Sequence, residues 1–196
     1  DTAPTSAPFF ATLRAFTRAL KLLLVSDILI RLGEGFTRVF EVLYLTSVVV
    51  AAQRIDQGVY GLYLALNVIV SLAVYVPIGF AASKVGAVKK PYIGLTFVFF
   101  ALFPLAVIVG PGFGTAGLIA AFVVMGLREI GEPARKAMIT ELVSRERRTE
   151  ETGIYWSARS FSVMIAPLLG ALAWVWLGPK APFLIAGCIG ALGAVF

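Results

Sequence analysis

A succession of long apolar segments constrains this chain more than any other feature of its sequence. An α-helix needs about 20 apolar residues to cross roughly 30 Å of hydrocarbon. Six segments approach or exceed that length, near residues 22–50, 59–82, 91–109, 115–130, 153–177 and from 182 onward. Hydrophobic residues make up 59% of the chain and charged residues only 14%, unlike a soluble domain. We therefore predict an all-α membrane protein with six transmembrane helices. The last segment is still apolar at Phe196, so we expect a piece of a longer protein.

A shorter amphipathic stretch precedes the first apolar segment. Apolar residues recur at helical spacing over residues 8–20, with Arg14 and Arg18 beside them. This pattern predicts a basic helix that lies on the membrane surface. We interpret residues 1–21 as a linker and residues 22–196 as one transmembrane unit.

The basic residues are divided unevenly between the two sides of the predicted bundle. One side collects Arg14, Arg18, Lys21, Lys84, Lys89, Lys90, Arg128, Arg135, Lys136, Arg145, Arg147 and Arg148, and the other only Arg54 and Lys180. Cytoplasmic loops carry the excess of Lys and Arg, so both ends are predicted to be cytoplasmic. The net charge of +6 follows from this topology, and no nucleic-acid partner is predicted.

The side-chain inventory restricts the chemistry. The chain has no His and a single Cys, which excludes His-based acid–base chemistry, His/Cys metal sites and intramolecular disulfides. No nucleophile-and-base constellation is visible, so an enzyme is not predicted, and neither is a cofactor.

The first apolar segment contains a stripe of alternating charges. Asp27, Arg31, Glu34, Arg38 and Glu41 are spaced by four, three, four and three residues, which places them within roughly an 80° sector of one helix. A single charge facing lipid costs at least about 2.5–3.5 kcal/mol, so the stripe is predicted to face protein or a solute pathway. The alternative is that the span begins near residue 35, leaving Asp27 and Arg31 in a wet interfacial region.

Two other segments carry polar residues within their spans. The second has Tyr63, Asn67 and Ser71 on one face, where they line a cavity or hydrogen-bond between helices. The fifth has Arg159, a pathway candidate that could instead extend towards the cytoplasmic surface. The third and sixth segments are almost free of polar residues and are predicted to face lipid.

Two loop regions carry a family resemblance. The loop after the second segment has Gly79, Ser83, Lys84, Gly86 and Lys89 in the order of the loop motif of the major facilitator superfamily of secondary transporters, although Ser83 stands where that motif usually has Asp. A second signature runs over residues 128–170 and resembles the family's helix 4, basic loop and helix 5. Its opening sequence is typical of prokaryotic members.

The resemblance implies half of a transporter. The expected fold is a six-helix unit with a 3+3 inverted repeat. The linker-like residues 1–21 favour the C-terminal half, and the N-terminal half is the alternative. The expected partners are a small solute, H⁺, the lipid bilayer and the other six-helix half, in a prokaryotic inner membrane. The alternative function is a membrane receptor or assembly subunit that lost transport.

The resemblance also suggests roles for particular residues. Asp27, Glu34 and Glu41 are candidates for proton coupling, with Glu34 first, while Arg38 and Arg159 would keep it ionised or bind an anionic group of the solute. An inner gate of ion pairs is expected from Lys84, Lys89, Arg128, Glu129, Glu132 and Arg135. The alternative for these six residues is ordinary positive-inside charge.

Overall fold

The fold is a bundle of helices, which confirms the predicted all-α class. A computed structural model describes residues 9–49, 55–84 and 88–195, and every regular element in those ranges is helical. Its α-helices are α1 (Phe9–Ala15), α2 (Arg18–Arg38), α3 (Phe40–Leu43), α4 (Gln57–Ala82), α5 (Lys90–Val109), α6 (Gly114–Leu127), α7 (Glu132–Leu142), α8 (Arg148–Leu177) and α9 (Ala181–Val195). A π-helical turn, Tyr44–Val48, follows α3, and the 3-10 turns Gly110–Phe113 and Arg128–Gly131 flank α6.

Three helical segments of the described chain are long and apolar enough to cross a membrane. They are Gln57–Ala82, Lys90–Leu142 and Arg148–Leu177, and Ala181–Ala194 is a shorter apolar helix. The run Lys90–Leu142 folds back at Gly110–Phe113, so that α5 and α6 pack side by side. The amide of Gly131 donates to Thr96 Oγ1 across this hairpin at 2.8 Å. The number of six membrane crossings stays a prediction.

The N-terminal helix is shorter than the sequence pattern indicates. α1 ends at Ala15, and Thr17 caps a new helix because its hydroxyl oxygen accepts a hydrogen bond from the amide of Leu20 at 3.2 Å. The predicted helix over residues 8–20 is therefore wrong in extent, and the predicted boundary after residue 21 falls inside α2. The first apolar segment is likewise divided, into α2, α3 and the π-helical turn.

Close helix crossings hold the bundle together. α2 packs against α8 and α9, α5 against α9 and α6, and α4 against α6. At the crossing of α2 and α8, a Cβ added to Gly170 would lie 2.8 Å from the carbonyl oxygen of Phe36. Gly126 of α6 lies as close to α4, where an added Cβ would be 2.8 Å from the carbonyl oxygen of Asn67. Small residues at these positions let the backbones approach one another.

The third and sixth apolar segments do not simply face lipid. α5 buries seven residues, among them Phe97, Phe100 and Phe103, and α9 buries Phe183. The prediction was wrong because an apolar side chain is equally suited to lipid and to a neighbouring helix. By contrast, only Tyr63 and Ala82 are buried along α4. Of the three described segments that are long and apolar enough to cross a membrane, α4, which carries the predicted polar face of Tyr63, Asn67 and Ser71, thus has the smallest buried share.

Candidate functional site

A buried cluster of charged side chains joins α2 to α7 and α8. It contains three carboxylates and three guanidinium groups: Asp27, Arg31, Glu34, Glu132, Arg135 and Arg159. We call these six residues the ion cluster. Their formal charges cancel, which is the arrangement that makes buried charges tolerable in an apolar surrounding.

Asp27 lies at the centre of the ion cluster and is only 1% exposed. Its Oδ2 lies 3.1 Å from Arg159 Nε, and its Oδ1 lies 3.6 Å from both Arg31 Nε and Arg135 Nη1. The hydroxyl of Tyr155 donates to Oδ2 at 3.2 Å and also contacts the backbone of α2. Asp27 is therefore part of the packed interior of the chain, while its depth in a membrane stays a prediction.

Glu132 is the second acidic centre of the ion cluster. One of its oxygens, Oε2, accepts hydrogen bonds from Arg135 Nη1 at 2.7 Å and from Arg31 Nη2 at 3.2 Å. Its Oε1 lies 3.9 Å from Arg159 Nη2 and 4.0 Å from Lys136 Nζ. Glu132 thus connects the start of α7 to both α2 and α8.

A cavity of about 440 Å³ opens beside the ion cluster, between α2, α3, α4 and the end of α6. We call it the cavity, and its lining residues are Glu34, Arg38, Glu41, Tyr60, Leu64, Asn67, Val68, Ser71, Met125, Arg128 and Glu129. The volume is in the range of sites for small molecules. The lining combines charged, amide, hydroxyl, aromatic and aliphatic groups, as such sites commonly do.

Glu34 belongs to both the cavity and the ion cluster. Its Oε2 accepts a hydrogen bond from Arg31 Nη1 at 2.5 Å, inside the ion cluster. Its Oε1 lies 3.8 Å from Arg38 Nη1, and the Arg38 side chain is 75% exposed. Of the described residues, Glu34 alone is a member of both sets.

Arg128 and Glu41 line the cavity from buried positions. The guanidinium group of Arg128 lies 4.7 Å from the ring centre of Phe100 and 4.5 Å from that of Phe103, and its Nε donates to the carbonyl oxygen of Met125 at 3.2 Å. Glu41 is only 2% exposed. These three contacts fix the position of the Arg128 guanidinium group.

The second predicted polar face is divided between the cavity and helix packing. Asn67 and Ser71 line the cavity, and the hydroxyl of Ser71 also donates to the carbonyl oxygen of Gly126 at 3.3 Å. Tyr63 does not line the cavity, because its ring is buried and stacks on that of Phe122 at 5.1 Å. Asn67 and Ser71 therefore line a cavity, as one alternative predicted, and Ser71 also makes the hydrogen bond between helices that the other alternative predicted.

The predicted gate residues do not gather in one place. Glu132 and Arg135 belong to the ion cluster, whereas Arg128 and Glu129 line the cavity. Lys89 is buried and pairs with Glu141.

The loop motif stands apart from both regions. Ser83 and Lys84 are exposed, and the hydroxyl of Ser83 donates to the carbonyl oxygen of Phe80 at 3.0 Å. A Cβ added to Gly79 would lie 3.9 Å from Pro133. Gly86, like Arg54 of the predicted outer side, lies outside the described residues.

Tyr155 is a site residue that the sequence analysis did not identify. It is fully buried, and its hydroxyl positions the carboxylate of Asp27. The available signal was its spacing of four residues from Arg159, which places both side chains on one side of α8.

Comparison with known proteins identifies the family of this chain. No curated protein matches the chain significantly. The sequence profile described as the Major Facilitator Superfamily matches residues 13–196, almost the whole chain. The chain therefore belongs to the Major Facilitator Superfamily, whose members transport solutes across membranes.

Proposed function

We propose that this chain is one six-helix half of a secondary active transporter that moves a small solute by alternating access. The observation that carries the proposal is the double position of Glu34, which lines the cavity and is hydrogen-bonded to Arg31 of the ion cluster. A solute in the cavity can therefore change the pairing of Glu34 with Arg31. Because Arg31 also contacts Glu132, a change in that pairing would alter the contacts between α2, α7 and α8 within the ion cluster.

Protons are the proposed coupling ion, and Glu34 is the proposed carrier. Its carboxyl group contacts Arg31 at 2.5 Å and Arg38 at 3.8 Å. The proton affinity of Glu34 depends on both contacts, so a motion that separates these side chains changes its protonation. Asp27 and Glu41 are the other candidates, and Asp27 is the more deeply enclosed by arginines.

The ion cluster is the proposed inner gate. Its contacts cross from α2 to α7 and α8, with Arg31 and Glu132 at 3.2 Å and Arg159 and Asp27 at 3.1 Å. Ion pairs between separate helices can form in one conformation and break in another, which is what a gate requires.

The proposed architecture has six membrane crossings, an inverted 3+3 repeat and both ends in the cytoplasm of a prokaryotic cell. The fold-back of Lys90–Leu142 at Gly110–Phe113 supports two crossings within that run. We assign the chain to the C-terminal half, facing a second six-helix half. The exposure of Arg38 and Val68, which line the cavity, leaves a side that this second half would cover.

A receptor or assembly subunit without transport is the second candidate function. Ser83 favours it, because a hydroxyl group replaces the carboxylate usual in the loop motif. The Ser83 side chain is exposed and bonded within its own helix turn. A protein of this kind would keep the fold and would carry no solute.

Proton flux in liposomes tests the proposal and separates the two candidates. The full-length protein would be reconstituted with an imposed pH gradient and screened for solutes that drive proton movement. We expect solute-driven flux that Glu34→Gln abolishes, while Glu146→Gln, which removes an exposed carboxylate of the loop after α7, leaves it unchanged. Flux that persists in Glu34→Gln would overturn the role of Glu34, and the absence of flux with every solute would favour the receptor.

A further inference from the structure

The charges that line the cavity are unequal in number. Three carboxylates, of Glu34, Glu41 and Glu129, face two guanidinium groups, of Arg38 and Arg128. Glu34 is already paired with Arg31 of the ion cluster. The two acids of the lining that have no Lys or Arg nitrogen within 4.0 Å among the described residues are Glu41 and Glu129. In the ion cluster, by contrast, three carboxylates meet three arginines.

Both arginines of the cavity have other partners. Arg128 lies over the rings of Phe100 and Phe103 and donates to the carbonyl oxygen of Met125. Arg38 extends to the outside, and its nearest carboxylate oxygen is that of Glu34 at 3.8 Å. Neither guanidinium group balances the remaining acids of the lining by direct contact.

Glu41 is the most enclosed acid of the cavity. It is 2% exposed, and among the described residues no Lys or Arg nitrogen lies within 4.0 Å of its carboxylate. The hydroxyl of Thr37, one helical turn earlier, donates instead to the carbonyl oxygen of Glu34 at 3.2 Å. A buried carboxylate without a cationic partner is unfavourable, and a positive charge brought by a ligand would relieve it.

The remaining lining suits an apolar body. Leu64, Val68 and Met125 supply aliphatic surface, and Tyr60 supplies an aromatic ring, which attracts cations through its face. The ring of Tyr60 is held edge-on to Phe122 at 6.0 Å. A ligand that combines one positive charge with apolar groups would satisfy both parts of the lining.

We propose that the solute of this cavity is a monovalent organic cation with an apolar body, and that its charge binds at Glu41. This inference rests on the proposed function, because it takes the cavity as the solute site. It adds the sign of the solute's charge and the residue that recognises it.

Equilibrium binding to the purified full-length protein tests the proposed charge. The probes are two cations of different size, benzyltrimethylammonium and tetraphenylphosphonium, and their anionic counterparts of similar shape, phenylmethanesulfonate and tetraphenylborate. We expect at least one cation to bind saturably and more tightly than its anionic counterpart. Glu41→Gln should weaken the binding of that cation by about tenfold or more, since a charge-assisted contact is lost. Glu146→Gln should leave it unchanged.

A second variant covers the case in which Glu41→Gln does not fold. Asn67→Asp adds a carboxylate to the half-buried lining and should tighten cation binding several-fold. Binding of neither cation, tighter binding of the anions, or weaker cation binding in Asn67→Asp would each overturn the inference. Transport of a neutral or anionic solute would also overturn it, while leaving the proposed function intact; only the absence of flux with every solute counts against both.

Discussion

Arg31 Nη2 lies 3.2 Å from Glu132 Oε2 although 101 residues separate them in the sequence. Arg31 also donates to Glu34 through Nη1 at 2.5 Å. One guanidinium group therefore connects a residue of the cavity to the acidic centre at the start of α7. The geometry of an Arg fork permits two such contacts at once, which a Lys at this position could not reproduce.

Neutralising Glu132 should change the rate of transport more than the apparent affinity for solute. Glu132 accepts hydrogen bonds from two arginines of the ion cluster and does not line the cavity. A buried charge-assisted hydrogen bond contributes about 1.5–3 kcal/mol, so Glu132→Gln should alter the maximal rate by about tenfold. Initial rates at varied solute concentration would separate the two parameters. An effect confined to the half-saturating concentration would contradict the gate.

Asp27→Asn should destabilise the fold strongly. The carboxylate of Asp27 lies within 3.6 Å of three arginines in a site that water scarcely reaches, so its removal leaves buried positive charge uncompensated. The expected loss is about 3–5 kcal/mol of unfolding free energy, measured by denaturant titration in detergent. Arg159→Gln in the same chain should restore part of the loss, because the charges again balance. A loss no larger than that of Glu146→Gln would exclude a structural role for the cluster.

Two glycines of α8 should respond in opposite directions to alanine. At Gly170 the added Cβ would lie 2.8 Å from the carbonyl oxygen of Phe36, so Gly170→Ala must push α2 away and should cost about 1–3 kcal/mol. At Gly153 nothing lies within 4 Å, so Gly153→Ala should stabilise the helix by about 0.4–1 kcal/mol. Thermal unfolding of both variants is the measurement. Equal shifts in melting temperature would show that α2 and α8 do not approach this closely.

Tyr155→Phe should cost more stability than Tyr63→Phe. The hydroxyl of Tyr155 donates to Asp27 in the buried ion cluster, and its loss should cost about 1–2 kcal/mol. The hydroxyl of Tyr63 makes no hydrogen bond to another described residue, and its ring stacks on Phe122 in either form. The same denaturant titration compares the two. A larger loss of unfolding free energy for Tyr63→Phe would contradict the stabilising role of the hydrogen bond from Tyr155 to Asp27.

The charged stripe of α2 illustrates how far sequence pattern reaches into the site. Helical spacing correctly places Glu34, Arg38 and Glu41 together, and these three line one cavity. It cannot distinguish Asp27, which is 1% exposed, from Arg38, whose side chain is 75% exposed. That difference depends on α7 and α8, whose arginines surround Asp27 and do not reach Arg38.

For the apolar helices, the sequence pattern does not show which of them are buried against other helices. α4 and α5 have similar hydrophobic character in sequence. α5 nevertheless packs between α6 and α9 and buries seven residues, whereas α4 buries only Tyr63 and Ala82. In a membrane, apolar side chains are compatible with lipid and with helix packing alike, so hydropathy alone does not identify the buried helix.

The amino-acid sequence alone determined the helical class, the membrane setting, the family and the faces on which charge lies, because these follow from periodicity and composition within single segments. The tertiary structure decided which charges meet. The contact of Arg159 with Asp27 and that of Arg31 with Glu132 each join residues more than 100 positions apart. Such contacts depend on which helices pack together, and close backbone approaches such as that of Gly170 to Phe36 select those neighbours.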